Sequence, residues 1–385
     1  MKKKIIPLLL TIYVLLFVTA CTKASSGALQ NQQKGNNETI KEMEDDKKVN
    51  ESSEDISVKD AETTEEKKDS LPNSEIKYPV TVTDQLGRTV TIENAPERIV
   101  SGYYISTSAL ISLGLEDKLV GIEAKAATRP IYALAAPKLL ELPNVGTAKE
   151  FDLEGCIALD PDLVILPIKL KDQISTFEKM GITVIGVNPE NEELLAEMVT
   201  MIAQLTGVSG YEELLNYYSE KSSELEKVYE NETKKPTVYL AGNSSLLSTA
   251  TANMYQNDLI ETAGGINVAS DMEDTYWANI SYEQLLAYNP DYIIITPEAE
   301  YTKEEVMKDS NLTNLTAIKN NCVYQMPKDF EAWDSPVPSS ILGKMWLTSI
   351  LYQNQYSNDA FIEDVSAFYQ TFYGFDIDKE VLKNQ

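Results

Sequence analysis

The apolar and polar positions divide the chain into three stretches. A predominantly apolar run at 5–18, about 14 residues, follows Met1-Lys2-Lys3-Lys4 and leads into Thr19-Ala20-Cys21. It falls short of the ~20 residues a spanning helix needs, and a basic start with small residues before a cut describes a secretory signal. From 22 to about 77 the pattern disappears into Lys, Glu, Asp, Asn, Gln and Ser with almost no aromatics. Such a segment cannot offset the entropy of ordering and reads as a tether with a reach of ~40 Å. Alternation starts with Val80-Thr81-Val82-Thr83 and Thr89-Val90-Thr91-Ile92 about Asp84 to Arg88, which predicts a hairpin. Strand patterns at 98–101, 119–122, 162–166 and 182–187 then alternate with amphipathic helices near 105–113, 151–159 and 171–180, the signature of an α/β layer with a mostly parallel sheet.

A long helical region comes next. Leu194, Leu195, Met198, Ile202 and Leu205 set the apolar face of a helix over 191–205. After Gly207 and Gly210 a second helix over 211–230 carries Leu214, Leu215, Tyr218 and Leu225, long enough to span ~30 Å. Beyond Pro236 a second α/β series is predicted: strands at 237–241, 291–296 and 322–326, and helices near 255–263, 338–353 and 360–373. The two series echo one another at a constant offset of 129, with Glu154/Glu283, Ala158/Ala287, Pro161/Pro290 and Asp162/Asp291 identical. Each copy reads as an N-cap (Asp152, or Ser281 with Gln284 as a capping box), a short helix, a Pro-Asp turn and a buried strand. The predicted organisation is a signal at 1–20, Cys21 and tether over 21–77, an α/β lobe at 78–208, a backbone helix at 209–235 and a second α/β lobe at 236–385.

Composition changes the picture chiefly by exclusion. The formal charge of −27, from 60 acidic and 33 basic residues, disfavours nucleic acid and anionic lipid as partners. Attachment to a membrane must then come from a lipid, and Cys21 after small residues resembles the bacterial lipobox, whose cysteine is diacylated. Of the three cysteines, Cys156 and Cys322 fall in different lobes and are expected to be buried free thiols. Histidine is absent, which removes the commonest transition-metal ligand and the usual base of a hydrolytic triad.

Taken together, Tyr78 to Ile92, Ala95-Pro96-Glu97-Arg98-Ile99-Val100-Ser101, Leu113-Gly114-Leu115, Lys118 to Ile122, Asp160-Pro161-Asp162, the long helix and the Glu283 repeat resemble the helical-backbone (class III) substrate-binding lipoproteins of ABC importers, which bind ferric siderophores, haem and vitamin B12. The likeness runs from 78 to 375. It implies two doubly wound α/β lobes joined by one long helix, with the ligand between them, an ABC permease and its ATPase as partners, a monomeric receptor, a location on the outer face of the cell membrane, and no cofactor. It also implies that Glu154 and Glu283 dock to permease arginines, while their place in helix first turns is itself favoured by the helix dipole.

Ligands of open α/β sheets bind beyond the carboxyl ends of the strands. That points to the loops bearing Tyr103, Tyr104, Tyr255, Tyr276, Trp277 and Trp333, aromatic faces suited to a bulky chelate, although any one tyrosine is equally suited to capping a lobe core. Arg129, one of three arginines, with Lys125, Lys169 and Lys171, supplies positive charge for a carboxylate, hydroxamate or catecholate, the lysines being nearly as well explained as a solvated cluster. A ferric chelate ranks first as cargo, haem next, then a corrinoid or an oxyanion such as molybdate; a bare metal ion is disfavoured without histidine. Two other classes compete: an extracytoplasmic enzyme, which lacks both a histidine base and a Gly-x-Ser-x-Gly elbow, and a ligand-sensing or adhesive lipoprotein of the same fold.

Overall fold

The structure, a computed structural model, describes residues 76–272 and 275–383, which lie in one compact unit, Asp69–Gln385. The expected signal, Cys21 and nearly all of the tether fall outside the described residues. Among the described residues no helix is long and apolar enough to cross a membrane.

The expected hairpin forms as β1 (Val80–Thr83) and β2 (Thr89–Ile92). Asp84 fastens it to the first lobe: its carboxylate accepts from the Arg88 guanidinium at 2.6 Å and from the Gly186 amide at 2.9 Å. The lobe's sheet contains β3 (Ile99–Ser101), β4 (Leu119–Ile122), β5 (Leu163–Pro167) and β6 (Thr183–Val187), all parallel in the order β4-β3-β5-β6. Helices α1 (Tyr104–Ser112), α2 (Pro130–Ala135), α3 (Leu153–Ala158) and α4 (Ile174–Lys179) connect them. Every residue of β5 is buried, as a central parallel strand covered on both faces requires.

Two long helices follow, α5 (Glu192–Thr206), capped by the Asn191 side chain, and α6 (Tyr211–Tyr229). The second lobe holds β7 (Thr237–Gly242), β8 (Ser245–Ala250), β9 (Ile266–Asn267), β10 (Trp277–Asn279), β11 (Tyr292–Ile295) and β12 (Val323–Gln325), in the order β10-β8-β7-β11-β12 with β9 also on β7. Its helices are α7 (Tyr255–Thr262), α8 (Tyr282–Tyr288), α9 (Lys303–Lys308), α10 (Thr316–Lys319), α11 (Ile341–Leu351) and α12 (Asn358–Phe372). The loop expected over 242–255 instead contains β8, antiparallel to β7 across the two-residue turn Asn243-Ser244. Ser245-Leu246-Leu247-Ser248 has no period-two alternation, so the strand was invisible to pattern.

The echo is structural. Asp152 Oδ1 accepts from the Gly155 amide at 2.8 Å and Ser281 Oγ from the Gln284 amide at 3.2 Å, starting α3 and α8 alike. At the following turn Asp160 and Asn289 take positive φ, 50° and 42°. Asp162 then accepts from the Glu97 and Arg98 amides, and Asp291 from the Thr237 amide, each tying its turn to the start of a neighbouring strand.

One continuous core joins the lobes, running from Val82 and Ile92 through Ile202 and Leu214 to Met345 and Phe361. Within it Lys344 of α11 is fully buried and ion-paired to Glu192 at 2.5 Å and to Asp258 at 2.8 Å, linking α11 to α5 and α7. Cys156 and Cys322 are free thiols. Burial pushes the Cys156 thiol up to about 12, whereas Cys322, expected to be buried, is only half-buried because it follows the surface turn at Asn321.

Candidate functional site

Segments leaving the carboxyl ends of strands in both lobes line a cleft with two adjoining compartments, of about 490 Å³ and about 840 Å³. Tyr104, Arg129, Glu298 and Ala332 line both. Each volume lies within the roughly 300–1,000 Å³ range of small-molecule sites.

Tyr104 and Arg129 form the partition. The Tyr104 hydroxyl donates to Ser335 Oγ at 2.9 Å, joining α1 to the loop after β12, and burial pushes the phenol up to about 12. The Arg129 Cζ lies 4.0 Å from the Tyr104 ring centroid, and its Nε is 3.5 Å from Glu123 Oε1, an ion pair without a hydrogen bond. Glu123 is itself held by Thr107 at 2.6 Å and Tyr132 at 2.7 Å. The guanidinium is thus fixed by stacking and charge, while no hydrogen bond to protein occupies its N–H groups among the described residues. Nearby, buried Glu331 accepts from the Ser108 and Ser339 hydroxyls, giving a second polar link between lobes.

Seven of the sequence-derived candidates meet in the smaller compartment: Tyr103, Tyr104, Arg129, Lys169, Tyr255, Tyr276 and Trp277. Lys125 lines the larger one. Trp277 lies over the end of β7, where a Cβ on Gly242 would come within 2.7 Å of its ring, so only glycine admits the indole there. Tyr255 is almost wholly buried, with Lys344 Nζ 5.7 Å from its ring.

Two candidates lie elsewhere. Trp333 is core: 1% exposed, stacked on Phe330 at 6.2 Å, edge-on to Phe361, and donating from Nε1 to the Tyr369 hydroxyl at 2.9 Å. Its neighbours Ala332, Asp334 and Ser335 reach the cleft instead. Lys171 is exposed and lines neither compartment. It follows Lys169 in the 3₁₀ segment Ile168–Gln173, and at three residues per turn it projects two-thirds of a turn away. Glu154 and Glu283 are exposed in the first turns of α3 and α8, outside both compartments. Backbone hydrogen bonding, then the Ser281 hydroxyl, hold the Glu283 carboxyl below its usual range.

Sequence reasoning passed over the acidic and amide groups of the cleft, Glu190, Gln256, Glu298 and Asp334. Their signal was positional, since Glu190 and Glu298 sit just beyond predicted strands. Burial, foremost, pushes Asp334 up to about 7. Among the described residues no three His, Cys, Asp or Glu side chains converge closely enough to hold a metal ion.

The comparisons with known proteins agree with this geometry. A family model described as "Periplasmic binding protein" matches residues 99–330. The chain belongs to the periplasmic binding protein family. Members of this class III family are extracytoplasmic substrate-binding components of ABC transporters, and the two-lobed α/β architecture is theirs. The molybdate-binding protein MolA of Haemophilus influenzae is 25% identical over 76% of this chain and 90% of its own length. Its molybdate-bound structure superposes with a TM-score of 0.69 at 22% identity, covering 78% of this chain and 99% of that one. Two Bacillus subtilis relatives each cover 67% of this chain and 82% of their own: the substrate-binding lipoprotein YvrC at 25% identity and the petrobactin-binding protein YclQ at 24%.

Proposed function

We propose that this periplasmic binding protein is a lipid-anchored, non-enzymatic receptor that captures an anionic metal chelate, foremost a ferric siderophore, and delivers it to an ABC permease. The observation that carries the reading is Arg129, set over the Tyr104 ring between the two compartments, with its Nε hydrogen-bonded to none of the described residues. A guanidinium in a sheltered cleft suits a planar carboxylate, hydroxamate or catecholate oxygen pair. The flanking Tyr103, Tyr276 and Trp277 offer the apolar faces an organic chelate buries, with Tyr276 and Trp277 still 53% and 37% exposed. A petrobactin-binding relative is in keeping with such cargo.

A bare oxyanion is the second reading, favoured by the likeness to MolA. Cleft size weighs against it, since two compartments of several hundred Å³ would leave a molybdate-sized ion largely unenclosed. Fluorescence titration separates the readings, because Trp277 is the only one of the described tryptophans that lines the cleft. Ferric tris-catecholate or tris-hydroxamate should quench it at low micromolar concentration or below, with molybdate far weaker. Tighter binding of molybdate would reverse the order.

Cys21 is the acylation site on this reading, and a relative is itself named a lipoprotein. Two acyl chains give stable attachment. Cys21→Ser should therefore move the protein from the membrane to the soluble fraction; unchanged membrane association would remove the lipid anchor from the account.

A further inference from the structure

The smaller compartment is not uniformly suited to an anion. Besides Arg129 it is lined by the acidic Glu298 and Asp334 and by Gln256. Asp334 and Gln256 are only 6% and 5% exposed. The Gln256 Oε1, an acceptor, is buried with no hydrogen-bond partner among the described residues. A buried acceptor left unmade costs roughly 1–3 kcal/mol, so it marks a position where a bound molecule supplies a donor. Three acceptor-bearing side chains therefore line one space, and one acceptor among them is left without a partner in the described residues. A metal ion does not meet the case, since among the described residues no three His, Cys, Asp or Glu side chains converge to hold one. An ammonium does: it is a compact donor of three hydrogen bonds and carries the charge that two carboxylates favour.

We propose that Asp334, Glu298 and the Gln256 carbonyl form a subsite for a protonated amine of the ligand, so that the cargo is zwitterionic: anionic groups meet Arg129 and an amine arm enters the acidic side of the cleft. This rests on the anionic-chelate reading and narrows it. The arrangement also provides selection, because a chelate bearing a further anionic arm would be repelled by the same carboxylates.

The test uses matched pairs of ferric chelates, one each with catecholate, hydroxamate and carboxylate donors, every pair comprising a chelate with a free primary amine arm and the same chelate N-acetylated. Binding is titrated calorimetrically against wild type, Asp334→Asn and Glu298→Gln. The expected result is at least a tenfold preference of wild type for the amine form of the chelate it binds, reduced to less than threefold in Asp334→Asn. Equal affinity of wild type for both members of a pair would overturn the amine subsite and leave the anionic-chelate function standing. Failure of wild type to bind any chelate would overturn both. Because either variant could misfold, circular dichroism serves as the folding control, and the wild-type preference decides the matter alone.

Discussion

Arg129→Ala is expected to weaken binding of the anionic cargo by roughly 10- to 150-fold, the loss of a charge-assisted hydrogen bond worth about 1.5–3 kcal/mol. The figure is large because the guanidinium is prepositioned by the Tyr104 ring, by Glu123 and, through Glu123, by Thr107 and Tyr132. Little rotamer entropy is then lost when ligand arrives. Arg129→Lys should recover only part of the affinity, since an ammonium neither stacks in the same way on Tyr104 nor offers a planar pair of donors. Titration of the purified variants by Trp fluorescence reads both effects. Wild-type affinity in Arg129→Ala would remove the residue on which the cargo assignment rests.

Glu154→Ala combined with Glu283→Ala should abolish uptake while leaving ligand affinity within about twofold of wild type. Both carboxylates are exposed at the first turns of α3 and α8 and lie outside the two compartments. Each single change should weaken docking in part, because charged rim contacts act on steering and orientation as well as on affinity. Transport in vesicles containing the cognate permease, measured beside affinity, distinguishes this from a binding defect. Normal transport by the double variant, or lost affinity in it, would overturn the docking role.

Glu154 and Glu283 could be nominated from sequence because they fall where the family resemblance places docking glutamates, and the echo at offset 129 sets both in equivalent helix first turns. An N-cap, a Pro-Asp turn and an aspartate that accepts from a neighbouring strand are local devices, and they fold the same way in both lobes. The strands of the first sheet were legible for a related reason, being short apolar runs bounded by turn residues. What pattern could not show was tertiary. Trp333 and Asp334 are adjacent in one loop, and only the packing of Phe330, Phe361 and Tyr369 decides that the indole goes inward and the carboxyl faces the cleft. Lys169 and Lys171 were indistinguishable by type until a turn of 3₁₀ helix separated them. The acidic residues of the cleft were not legible, because with 60 Asp and Glu in the chain no pattern separates Glu298 or Asp334 from solvated surface carboxylates.

The most direct test of capture is native mass spectrometry of protein purified from its own host without added ligand. The account predicts a bound species whose mass and isotope pattern are those of an organic chelate with its metal, retained by wild type and lost from Arg129→Ala. Recovery of a bare oxyanion such as molybdate in its place would contradict it.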